Sequence, residues 1–177
     1  MRWLGFAICA LFALTVHSAL APRLELFGAR PDWLLVLVVF FALYARGADA
    51  VVGAWIVGAC ADLMTLERVG LLSLSYGFAA LAVVGVREYL FRYRLQTQFL
   101  VTLIAGLAIR LVWGLYRFVA YPEAGWTGWA ILVEVVVGAV YTAAFAPPVH
   151  KVLLSMPRML GLPKPRYTYS GPLSTGS

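Results

Sequence analysis

Six apolar stretches joined by very short polar links fill residues 3 to 154, and no segment between them is long enough to fold in water. Such a chain can bury itself only in a bilayer. Hydrophobic residues make up 63% of the sequence and charged residues 12%, whereas soluble domains hold about half and about a quarter. The pattern specifies an all-α integral membrane protein.

About 20 apolar residues cross the ~30 Å of hydrocarbon. Six transmembrane helices are expected: Trp3 to Ala21, Asp32 to Ala45, Ala48 to Leu66, Gly70 to Leu90, Thr97 to Tyr121 and Gly128 to Leu154. The Pro147-Pro148 pair should kink or shorten the sixth. The second stretch is short enough to be a re-entrant hairpin, and positive charge arbitrates, because Lys and Arg near membrane ends stay cytoplasmic. With six crossings, one side carries nine cations: Arg2, Arg46, Arg87, Arg92, Arg94, Lys151, Arg158, Lys164 and Arg166. The other side carries four, Arg23, Arg30, Arg68 and Arg117, with Arg110 inside helix 5. If helix 2 fails to cross, three (Arg2, Arg68, Arg117) face ten. The asymmetry favours six spans with both termini in the cytoplasm. Arg2 and Ala19-Leu20-Ala21 also fit a cleavable leader, but the apolar run continues nearly to that site and Pro22 follows it, so helix 1 is expected to be retained.

The net charge of +6 comes largely from the cytoplasmic links. It reports topology and anionic lipid rather than nucleic acid. Cys9 and Cys60 sit in apolar helices at different depths and read as small hydrophobes. Residues 155–177 turn to Ser, Pro, Gly and basic residues, including Pro157, Pro163, Pro165 and Pro172. This is the composition of a flexible basic cytoplasmic tail, with a docking arm for a filament or headgroups as the alternative. The link Arg87-Glu88-Tyr89-Leu90-Phe91-Arg92-Tyr93-Arg94 fits either an aromatic belt with cytoplasmic charge or a seat for headgroups and a partner.

The interior carries a more specific signal. At 1.5 Å per residue, His17, Asp62 and Arg110 each lie roughly 20 Å from the cytoplasmic start of their helices, and Tyr76 and Glu134 lie about 9 Å in from the outside. Five polar residues from five helices thus share one layer. Charges at that depth face the bundle interior and pair with one another, so Arg110 is expected to pair with Asp62 or Glu134. The layer is either a structural ion pair near the outer interface or a site.

Small residues keep register with the layer. Gly5, Cys9 and Ala13 precede His17 at intervals of four; Ala50, Ala54 and Gly58 precede Asp62; Thr102 and Gly106 precede Arg110, with Gly114 beyond; Gly138, Thr142 and Ala146 follow Glu134. Such rows let helix backbones approach closely, and Gly58 and Gly77 are candidate faces for internal packing or for a partner's transmembrane helix. No catalytic, cofactor or metal site is expected. His17 and His150 fall at opposite membrane faces and cannot share a metal, and the chain lacks a phosphate-cradling glycine loop and a nucleophile elbow. Asp32, after Pro31, reads as the outer N-cap of helix 2.

Several of these residues form a pattern: Arg30-Pro31-Asp32 opening an apolar helix, Arg46-Gly47 ending it, Gly58-x-x-x-Asp62-Leu63 closing the next, and Gly70-Leu71 followed by Leu74-x-Tyr76. In them the chain resembles the bacterial rod shape-determining membrane proteins of the MreD family, over residues 1 to 154. Gly53 and Gly58, spaced by five, depart from a GxxxG-like step. The resemblance implies a six-helix fold similar to the substrate-binding subunits of energy-coupling factor transporters, set in the bacterial inner membrane. It implies a non-catalytic part in the cell-elongation machinery that builds peptidoglycan. The implied partners are the single-span protein MreC, the MreB filament, a RodA-type glycosyltransferase and a penicillin-binding transpeptidase, with homo-oligomers left open. It marks Pro31, Asp32, Gly58, Asp62, Gly70 and Tyr76 as positions to test. The alternative function is a small-molecule capture subunit of a transporter, with His17, Asp62, Arg110 and Glu134 lining a pocket.

Overall fold

The computed structural model describes residues 2–20, 23–25, 29–64, 70–90, 94–120 and 127–161. Its helices, in chain order, are α1 (Trp3–Leu20), α2 (Trp33–Tyr44), α3 (Gly47–Met64), α4 (Leu71–Val86), α5 (Leu95–Ala120), α6 (Gly128–Leu154) and α7 (Pro157–Leu160). Among the described residues α1, α3, α5 and α6 are long and apolar enough to cross a membrane, while α2 and α4 are shorter apolar helices. The helix α4 stops at Val86 rather than Leu90, and α5 starts at Leu95 rather than Thr97. Ala21, Leu66 and Tyr121, expected as helix ends, lie outside the described residues, as do residues 91–93 of the basic aromatic link.

The centre of the bundle is α2. Every residue from Leu34 to Tyr44 is buried, because α1, α3, α4, α5 and α6 all pack against it. At 1.5 Å per residue its 12 residues reach only about 18 Å, short of the ~30 Å hydrocarbon thickness. Around it the most extensive contacts join α3 to α4 and α5 to α6. The small-residue rows face inward as their spacing requires: Ala50, Ala54, Gly58 and Asp62 are buried on α3, Thr102, Gly106 and Gly114 on α5, and Gly138, Thr142 and Ala146 on α6. A Cβ at Gly58 would lie 2.5 Å from the Ser73 Cα, and one at Gly106 3.5 Å from the Ala139 Cα. These glycines set how near the helix axes come.

A helix buried from Leu34 to Tyr44 leaves its terminal backbone groups little access to water. Both ends of α2 are closed by charge. At the start, Asp32 is an N-cap whose side chain accepts from Leu34 N and Leu35 N. At the finish, Arg87 Nη1 donates to the carbonyls of Ala42 (3.2 Å) and Ala45 (2.5 Å). An anion at the N-terminus and a cation at the C-terminus both oppose the helix macrodipole. Arg87, expected in a link that forms either an aromatic belt with cytoplasmic charge or a seat for headgroups and a partner, donates to the last carbonyls of α2.

Two expectations change. Of the expected kink or shortening of helix 6 the shortening does not occur, since α6 runs to Leu154 with Pro147 and Pro148 inside it; membrane helices tolerate such prolines where nearby groups take up the freed backbone bonds. The chain past Leu154 does not begin as a free tail. It forms α7, Leu160 is fully buried, and Arg2 N donates to the Leu160 carbonyl (3.2 Å), docking the segment on the first turn of α1. Residues 162–177 lie outside the described residues.

Candidate functional site

The polar centre of the molecule is the turn Arg30-Pro31-Asp32. Pro31 is buried, and Asp32 adopts an extended backbone (φ −98°, ψ 91°), which aims its carboxylate back over the first turn of α2. Its Oδ1 accepts from Leu34 N (3.1 Å) and Leu35 N (3.0 Å), and its Oδ2 accepts from the Tyr76 hydroxyl of α4 (2.7 Å). The Asp32 amide donates to Thr142 Oγ1 of α6 (3.0 Å), which in turn donates to the Gly138 carbonyl (2.7 Å). His17 Nδ1 of α1 lies 4.0 Å from Oδ1. Arg110 of α5 donates to the Arg30 carbonyl, and its guanidinium occupies the space a side chain at Gly138 would need. Five helices therefore meet at one turn.

Of the five residues expected in one layer, this turn gathers His17, Tyr76 and Arg110. Asp62 and Glu134 have other work, and the expected pairing of Arg110 with either of them is corrected. Asp62 is completely buried and accepts from Leu72 N (3.0 Å) and Ser73 N (2.9 Å), closing the start of α4 from α3. Glu134 lies 3.5 Å from Arg117, whose guanidinium also stacks over Trp113 at 5.4 Å. Orphan amides at a helix start have no water to turn to, so they capture the buried carboxylate, and Arg110 is left to a backbone carbonyl.

Two participants were not singled out from the sequence: Thr142 figured only as a small residue, yet its hydroxyl links α6 to α2, and the Arg30 carbonyl is the other. The one available signal was Thr142 standing four residues after Gly138. His150 is buried against Phe40 and Tyr44, with Nε2 3.2 Å from the Val36 carbonyl. Among the described residues no group of three His, Cys, Asp or Glu side chains is placed to hold a metal ion.

These roles predict unequal costs. Asp62→Ala, which orphans two amides, is expected to lower stability by about 1–2 kcal/mol. Glu134→Gln, at a pair about a third exposed, is expected to change it by less than about 1 kcal/mol. Thermal unfolding of the purified variants in detergent checks both, and an equal loss would refute the division of labour.

Residues 1–156 match the family model described as rod shape-determining protein MreD. The chain belongs to the MreD family. No curated protein and no solved structure matches it. Membership makes it a membrane protein of rod-shape determination, in a family of structural proteins not known as enzymes. The six positions marked by the MreD resemblance form one substructure. Pro31 fixes the turn, Asp32 caps α2 and receives Tyr76, and Asp62 caps α4. Gly58 admits the backbone at Ser73, and Gly70 (φ +109°) supplies the left-handed residue from which α4 starts. A residue with a Cβ at Gly70 would be strained by that φ alone.

Proposed function

We propose that the chain is a non-catalytic scaffold of the bacterial cell-elongation machinery, holding the transmembrane helix of an MreC-like single-span partner and coupling MreB filaments to periplasmic peptidoglycan synthesis. A RodA-type glycosyltransferase and a penicillin-binding transpeptidase are reached directly or through that partner. The observation that carries this reading is the use of the polar groups between the helices. Asp32 and Asp62 accept from main-chain amides at the starts of α2 and α4, and Arg110 donates to the Arg30 carbonyl ahead of α2, which is the chemistry of a rigid platform. A capture subunit would need His17, Asp62, Arg110 and Glu134 around one pocket, whereas Asp62 and Glu134 lie apart from the turn that gathers the other two.

The proposal includes six crossings of the inner membrane with both termini cytoplasmic, and a fold like that of the transporter capture subunits. The nine-to-four charge asymmetry supports the orientation. Alternating helix direction supports the crossings: His17, late in α1, meets Asp32 at the start of α2, and Tyr44 at the end of α2 receives a bond from Gln98 early in α5 (2.9 Å).

Co-expression with an MreC-like protein tests the scaffold. The expected result is a complex of defined stoichiometry in native mass spectrometry, lost when the partner's single transmembrane helix is replaced by polyleucine. Two well-expressed proteins that never co-purify, with rod shape independent of this chain, would overturn it.

A further inference from the structure

We propose that α7 is a releasable clasp that decides how firmly the first turns of α1 sit on the bundle. The helix α1 is held from one side: it packs on α2 and α7, with a smaller contact to α3, and only Gly5, Phe6, Ala10, Ala13 and Leu14 are buried along it. Near its start the Phe6 ring meets Phe41 of α2 edge-on at 5.0 Å. The backbone there is continuous with α7. Arg2 N donates to the Leu160 carbonyl (3.2 Å), and the Arg2 carbonyl accepts from Phe6 N (3.1 Å), so one peptide carries the hold of α7 into the first turn of α1. Leu160 is fully buried in the same apolar cluster as Phe6.

Two glycines make the fit. At Gly5 a Cβ would run into the Met159 carbonyl, and at Gly161, where φ is +59°, one would come 2.8 Å from Arg2 Cγ. The clasp itself is small. It is a helix of four residues, reached from α6 through Ser155, and it is seated by the buried Leu160 side chain and the bond to Arg2. Against these stands the backbone freedom that each residue from Ser155 to Gly161 gives up on docking. A segment so close to balance opens locally while the rest of the fold stays closed. When α7 lets go, the Arg2 peptide loses its anchor and the Phe6–Phe41 contact becomes the next to loosen. The match to the MreD family ends at residue 156, so α7 lies beyond it. The proposal does not depend on the scaffold reading.

Backbone hydrogen–deuterium exchange of the full chain in detergent, read by mass spectrometry, tests the clasp. In the wild type, residues 156–161 are expected to exchange ahead of α2, α3 and α4. Leu160→Asp should speed exchange over residues 3–10 by about tenfold or more, the factor lost with one buried leucine, and leave α3 and α4 unchanged. Leu160→Met, which conserves volume, should keep the wild-type rate. Gly5→Ala gives the deciding sign. Alanine favours a helix over glycine, so propensity alone would slow exchange at the start of α1, whereas the clasp requires faster exchange because the new Cβ displaces the Met159 carbonyl. In the Leu160→Asp protein, where α7 is already released, Gly5→Ala should instead slow it. Residues 156–161 as protected as α2 in the wild type, slower exchange in Gly5→Ala with Leu160 present, or Leu160→Asp acting on α3 and α4 as strongly as on α1 would overturn the proposal.

Discussion

Asp32→Ala is expected to be the most damaging polar substitution in the chain, lowering stability by about 2.5–4 kcal/mol. The removed carboxylate caps α2, worth about 1 kcal/mol, and receives the Tyr76 hydroxyl in a charge-assisted bond worth about 1.5–3 kcal/mol. The loss is concentrated because both bonds are part-buried at the start of a helix buried from Leu34 to Tyr44. Asp32→Asn, which keeps a neutral acceptor, should lose about half as much. Tyr76→Phe should add little to Asp32→Ala, since the pair shares one bond and the two losses are not additive. Unfolding of the single and double variants in mixed detergent measures the coupling. Additive losses, or an Asp32→Ala protein as stable as wild type, would show that the hub does not hold the bundle.

The second large effect is expected at Gly58. Leucine there collides with backbone, the Ser73 Cα and amide of α4, which no rotamer change can relieve. The α3 and α4 helices would have to separate, disturbing the Asp62 cap on the Leu72 and Ser73 amides. Overpacking of a tight contact costs about 1–3 kcal/mol or more, and here the upper end is expected, with little folded protein recovered. Gly77 differs, because a Cβ there meets the Trp55 ring at 2.6 Å from Cε2, a side chain. Trp55→Ala should therefore rescue Gly77→Ala and leave Gly58→Ala unimproved. Rescue of both, read as yield of monodisperse protein, would place the α3–α4 constraint in side chains rather than backbone. Both glycines face a helix of their own chain, so bulky residues at either one probe the α3–α4 contact before any partner.

Much of this architecture is legible in the residues. The apolar runs mark the six apolar helices to within a few residues, and the i, i+4 rows of small residues identify inward faces, because close packing of backbones admits nothing larger. Asp32 after a proline announces an N-cap, and the pattern from Arg30 to Tyr76 announces the family. Local chemistry is sufficient for each of these.

Which helix becomes the centre was decided only in three dimensions. Hydropathy records a preference for apolar surroundings, and in a membrane both lipid and protein interior satisfy it, so buried α2 and largely lipid-facing α1 read alike. The same degeneracy hides the pairings. By depth alone Asp62, Arg110 and Glu134 could each meet another. Only the rotation of α3 toward α4 gives Asp62 two helix-start amides, and only the close pass of α5 over Gly138 brings Arg110 to the Arg30 carbonyl. The sequence by itself determined that helices form, where they begin and which faces are small. Tertiary structure decided which buried charge closes which helix, because unsatisfied backbone groups become costly only once packing has removed every other partner.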